Sequence, residues 1–83
     1  MERELLIRRL SVSPHNLGFD EFISIIEDFG FRLIRVRGSH HMFRHPNIAT
    51  LVNVQARKGR AKAYQVRDFV KLVERYNLEL KAG

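Results

Sequence analysis

Phe31-Arg32-Leu33-Ile34-Arg35-Val36-Arg37-Gly38-Ser39-His40-His41-Met42-Phe43-Arg44-His45 reads as two strands, 31–37 and 40–45, folded back on each other at Gly38-Ser39. Pro46-Asn47 then signals a second turn, and Ala49 to Gln55 is a third β-rich run. On the N-terminal side, Phe22, Ile23, Ile26 and Phe29 recur at helical spacing. Asp20 is expected to accept hydrogen bonds from the first free amides of that helix, and Gly30 to close it in a left-handed conformation. On the C-terminal side, Ala56 to Ala61 is expected to be a basic loop containing Gly59. A helix follows over 63–77, its apolar stripe made of Val66, Phe69, Val70, Val73 and Tyr76.

The order helix, three strands, helix defines an α+β domain. A meandering three-stranded antiparallel sheet buries one face under two helices and leaves the other open. Leu5, Leu6 and Leu10 suit a short amphipathic helix leading into Ser13-Pro14, so residues 1–16 read as an N-terminal helical extension. The core domain is expected to span 17–78, with a tail over 79–83 and fraying from residue 78.

Charge narrows the function. No acidic residue lies between Asp28 and Asp68, a segment that holds nine Arg and Lys residues and three of the chain's four histidines. A net charge of +6 matches a nucleic-acid binder, an anionic-membrane binder or a partner of an acidic protein, and nucleic acid is the commonest polyanionic partner. No apolar run approaches the roughly 18 residues of a membrane span, and the segment Leu5-Leu6-Ile7 is far too short for a signal-peptide core. Cysteine is absent, which fits a reducing compartment and makes a cytoplasmic protein the expectation. Neither a metal-ligand spacing nor a glycine-rich phosphate loop is present, so no metal and no small-molecule cofactor is expected.

Strand parity separates the histidines. Phe43, the bulkiest apolar group of its strand, should point into the core, which turns His40, Met42 and Arg44 to the open face and His41 and His45 to the Phe43 side. This parity requires that no β-bulge fall between positions 40 and 43. His40 is then either a solvated residue beside a turn or a group able to exchange a proton near neutral pH. His41 reads as a half-buried ring bonded to backbone, and His45 as a turn residue before Pro46. The run Arg57-Lys58-Gly59-Arg60-Ala61-Lys62, placed just before a helix, suits phosphate contact through Arg57, Lys58, Arg60 and Lys62. Arg67, Lys71 and Arg75 recur every four residues and fit either phosphate contact or an ordinary solvated face with Asp68 and Glu74 as partners.

The segment Gly38-Ser39-His40-His41-Met42-Phe43-Arg44-His45-Pro46, preceded by Phe29-Gly30-Phe31, resembles the HicA family of toxin components from toxin–antitoxin pairs. The similarity runs from about Phe19 to Asn77. It implies a double-stranded-RNA-binding-domain-like fold, cleavage of mRNA, and neutralisation by a HicB-like antitoxin bound over the active site. By position, the family's catalytic histidine falls on His40 and its turn glycine on Gly38, with Ser39 completing the turn. One departure stands out: Gln55-Ala56-Arg57 occupies the place where many members carry a Pro-x-His-type sequence, so a second acid–base group is not evident beyond His45 or Lys58.

These readings combine into a metal-independent endoribonuclease. RNA supplies its own nucleophile, the 2′-hydroxyl; His40 moves the proton, and Arg44 stabilises charge developing on phosphate. The rival is a non-catalytic RNA-binding module of the same fold, in which His40 merely touches sugar or phosphate. A HicB-like neighbouring gene would favour the toxin.

Overall fold

The computed structural model describes residues 2–81. Its elements run α1 (Arg3–Val12), a 3-10 turn (Pro14–Asn16), α2 (Phe19–Asp28), β1 (Arg32–Arg37), β2 (His40–Arg44), β3 (Val52–Arg57), β4 (Arg60–Ala61) and α3 (Ala63–Arg75). The four strands form one antiparallel sheet in the order β1-β2-β3-β4. The expected α+β class stands, but the sheet has four strands rather than three.

The added strand comes from the segment expected to be a basic loop. Lys58 (φ 52°) and Gly59 (φ 76°) both adopt positive φ, which makes a two-residue I′-type turn that folds Arg60-Ala61 back on Ala56-Arg57. Two residues of pairing would not hold alone. A bridge from Gly18 to Arg60, with Ala61 N–H donating to Leu17 C=O (3.0 Å) and Phe19 N–H to Gly59 C=O (2.9 Å), clamps β4 to the chain entering α2. The first hairpin turns differently: at Gly38-Ser39, Gly38 alone takes positive φ (60°), the II′ pattern.

Phe22, Phe29, Phe43, Ile26, Val54, Val66 and Val73 are among the fully buried side chains. Phe69 sits at the centre, meeting Phe22, Phe29 and Phe31 edge to face at centroid distances of 5.8, 5.7 and 5.6 Å. β3 alternates accordingly, with Val52 and Val54 buried and Asn53 exposed. β1 is exposed along its whole length, so it overhangs the helices as a sheet edge. An irregularity in β1 between Leu33 and Arg35 leaves Ile34 without a partner, whereas β2 pairs with β3 without a break over 40–43. The register that sets the histidine faces is therefore unshifted.

Three further expectations are corrected. Gly18, not Asp20, is the N-cap of α2, and Asp20 lies inside the first turn without a side-chain capping bond. β3 begins at Val52 and extends to Arg57, because the β4 hairpin prolongs it beyond Gln55 while residues 49–51 form no strand. Fraying does not begin at residue 78. Asn77 (φ 51°) reverses the chain at the end of α3, Leu78 N–H donates to Val73 C=O (2.9 Å), and Leu78 is buried. Lys81 N–H then reaches Asp28 C=O (2.8 Å); residues 82 and 83 lie outside the described residues. α1 buries Leu6, Ile7 and Leu10 in the same core, and Arg9 pairs with Glu21 of α2.

Candidate active site and basic surface

The II′ turn delivers His40 to the first position of β2, opposite Arg37 on β1 and Gln55 on β3. The ring is exposed on the sheet face away from Phe43. Its Nδ1 lies 3.3 Å from Oδ1 of Asn53, which stands two residues from Gln55 along β3, on the same face. An amide oxygen can only accept, so this contact places the proton on Nδ1 and leaves Nε2 as the basic nitrogen. Arg35, Arg37, His40, Met42 and Asn53 surround a depression of about 290 Å3 on this face.

Gln55 braces the turn beneath His40. Its Nε2 donates to Ser39 Oγ (3.3 Å), its Oε1 accepts from Lys62 Nζ (2.7 Å), and its backbone N–H donates to Gln65 Oε1 (3.0 Å). Ser39 and Lys62 are thus joined through one amide, linking the histidine turn to the start of α3. Gly38 has open space where a Cβ would stand, so the demand for glycine there comes from its φ of 60°.

His41 and His45 both pack against core rings, whereas His15 is exposed in the 3-10 turn. His41 is half-buried, with Nδ1 3.3 Å from Ser39 O and its ring edge to face with Phe19 at 5.0 Å. His45 is buried, packs on Phe31 at 5.0 Å, and accepts the Asn47 N–H at Nδ1 (3.1 Å). Its Nε2 lies 3.1 Å from where a Cβ on Gly30 would be, so glycine leaves it room. Burial and a committed Nδ1 remove His45 as a second acid–base group.

Arg44 shares the His40 face but stands four residues along the strand, about 13 Å away. It lines a separate depression with Arg32, Leu33, Ile34 and Pro46. The guanidinium groups beside His40 are those of Arg35 and Arg37. Sequence reasoning passed over these two, although a two-residue turn at Gly38-Ser39 puts Arg37 directly across from His40.

Arg57, Lys58 and Arg60 project from the β3–β4 hairpin, and with Lys62, Tyr64 and Arg67 they line a shallow basic depression of about 630 Å3. Among the described residues, none of these cations pairs with a carboxylate; the ion pairs present are Arg3–Glu4 and Arg9–Glu21. Asp68 and Glu74 therefore do not neutralise the Arg67, Lys71, Arg75 row, and Arg75 instead lies over the Tyr76 ring at 5.6 Å. Lys58, the other candidate for proton transfer, sits at the far turn of this hairpin. No group of three or more His, Cys, Asp or Glu side chains converges among the described residues.

A family model described as HicA toxin of bacterial toxin–antitoxin matches residues 19–74. The chain belongs to the HicA toxin family. The match opens on the first residue of α2 and closes in the last turn of α3, so it takes in all four strands and both hairpins. HicA membership makes the chain a toxin of a toxin–antitoxin system, with an antitoxin as its partner. No curated protein and no solved structure matches it. Among the described residues, no helix of this HicA chain is long and apolar enough to cross a membrane.

Proposed function

We propose that this HicA chain is an endoribonuclease acting on mRNA in the cytoplasm, with His40 as its general acid–base group and no metal required. The observation that carries this reading is an exposed imidazole oriented by Asn53 and set beside two arginines on an open sheet face. Nε2 of His40 takes the proton of a ribose 2′-hydroxyl as that oxygen bonds to the adjacent phosphorus. The P–O5′ bond breaks, and the 5′-oxygen leaves with a proton from solvent. Arg35 and Arg37 stabilise the charge that develops on the phosphate oxygens. The flanking backbone rests on Arg57, Lys58, Arg60 and Arg67, while Lys62 keeps Gln55 and the histidine turn in place. The helices and sheet fit a double-stranded-RNA-binding-like domain extended by the β4 hairpin.

A HicB-like antitoxin neutralises the chain by covering His40, presenting acidic or polar groups to the cations around it. Charge complementarity of this kind mainly accelerates association, so the association rate should fall steeply with ionic strength. His40 should also lose its reactivity toward a histidine-modifying reagent in the complex; unchanged reactivity would rule out occlusion.

Wild type and His40→Ala, each incubated with RNA in the presence of a chelator, test the activity. Wild type should cleave and leave 2′,3′-cyclic phosphate ends, and the variant should fold but not cleave. Equal cleavage by the two would end the assignment. Binding without cleavage by wild type would make the chain an RNA-binding module.

A further inference from the structure

We propose that the groove between β3 and α3 is a nucleobase subsite selective for guanine, with Tyr64 as its stacking surface and Asp68 as its reading group; this rests on the ribonuclease reading above. On the side away from β2, β3 has no strand neighbour before Ala56, and α3 lies alongside instead. The resulting groove holds about 450 Å3, within the roughly 300–1,000 Å3 of small-ligand sites. His40 and Asn53 stand at one wall, Tyr64 and Asp68 at the other.

Position points to nucleic acid. Tyr64 lines both this groove and the basic surface of the β3–β4 hairpin, while His40 lines both this groove and the arginine depression. A phosphodiester chain running from the hairpin cations to His40 therefore passes Tyr64 and delivers a base into the groove. The Tyr64 side chain is 53% exposed, and Gln65 Nε2 lies 3.3 Å from its hydroxyl, so a flat surface is held ready without being covered. Every base has a π-face, and stacking on such a ring is worth about 1–3 kcal/mol per base.

Chemistry selects the base. Asp68 is exposed and has no ion pair among the described residues, and no Arg or Lys lines the groove beside it. A carboxylate repels phosphate and can only accept hydrogen bonds. The Watson–Crick edge of guanine offers two adjacent donors, N1–H and the N2 amino group; adenine and cytosine offer one amino group there, and uracil one imino group. Asn53, whose oxygen faces His40, retains an NH2 group able to donate to the guanine O6.

The test uses short RNAs differing at one position, guanosine or inosine, the latter lacking the N2 amino group. Wild type should cleave the guanosine RNA with kcat/KM at least about tenfold above the inosine RNA. Asp68→Asn should cleave both equally. Tyr64→Ala should lose about 5- to 150-fold on all RNAs, and Tyr64→Phe should retain most activity. A wild type indifferent to the exchange, or a preference untouched by Asp68→Asn, overturns the subsite and leaves the groove for an extended peptide strand on the free β3 edge. Should wild type cleave none of the RNAs, the ribonuclease reading falls, and equilibrium binding of the same RNAs decides the subsite. Tighter binding of guanosine than inosine, equalised by Asp68→Asn, supports it; equal binding by wild type overturns it.

Discussion

The two hairpins of this sheet have opposite turn chemistries and opposite dependence on the rest of the fold. At Gly38-Ser39 a glycine takes the first positive-φ position between strands of six and five residues, so turn and flanking strands cooperate locally. At Lys58-Gly59 a lysine takes the first of two positive-φ positions, and the returning strand is only Arg60-Ala61, followed by Lys62 as the N-cap of α3. The second hairpin persists because Leu17, Gly18 and Phe19 hold it from across the molecule. One hairpin positions a single imidazole within a bonded frame; the other presents a cluster of cations to solvent. Reaction chemistry suits the first arrangement, and sequence-independent contact with phosphate suits the second.

Four tests break or sharpen this contrast. The largest effect belongs to the first hairpin: His40→Ala should lower RNA cleavage by about 10²–10⁴-fold, with thermal unfolding changed by less than about 0.5 kcal/mol. A destabilised His40→Ala protein would mean that the imidazole is structural and the contrast false. Next, Phe43→Ala on the opposite face of the same strand should cost about 3–5 kcal/mol in denaturant unfolding, since Phe43 is fully buried. A loss below about 1 kcal/mol would show that the helices do not rest on this face. Third, replacing Lys58 and Arg60 with Gln should weaken binding of all RNAs alike. The log–log salt slope should flatten by about 0.7 for each single-strand phosphate that is no longer neutralised; an unchanged slope would move phosphate binding to Arg67, Lys71 and Arg75. The smallest effect tests turn strain. Lys58→Asn should stabilise the protein by about 0.5 kcal/mol, because asparagine tolerates positive φ better than lysine. Gly38→Ala, forced to φ 60°, should instead destabilise by about 1–2 kcal/mol.

His45 teaches a second distinction. It follows Phe43 by two residues, so parity alone sends it inward, and the structure buries it. Its partners are Phe31 and the space above Gly30 from one segment and Asn47 from another. A turn residue before Pro46 is the right position for it, but the packing around the ring is visible only in three dimensions.

Local periodicity by itself determined α2, α3, the first hairpin and the separation of His40 from His41 and His45. Helical stripes and strand alternation are properties of neighbouring residues, and the Gly38-Ser39 register follows from a two-residue turn. Composition determined the basic surface, because no carboxylate lies between Asp28 and Asp68 to balance it. Tertiary structure alone decided β4, whose two residues have no strand periodicity and depend on bonds to the chain before α2. It also decided which groups stand beside His40. Asn53 is thirteen residues away in sequence and Gln55 is opposite it across β2 and β3, while Tyr64 and Asp68 face it across the groove from a helix. Such neighbours are set by strand pairing and by how α3 lies against the free edge of β3, distances that no local pattern encodes.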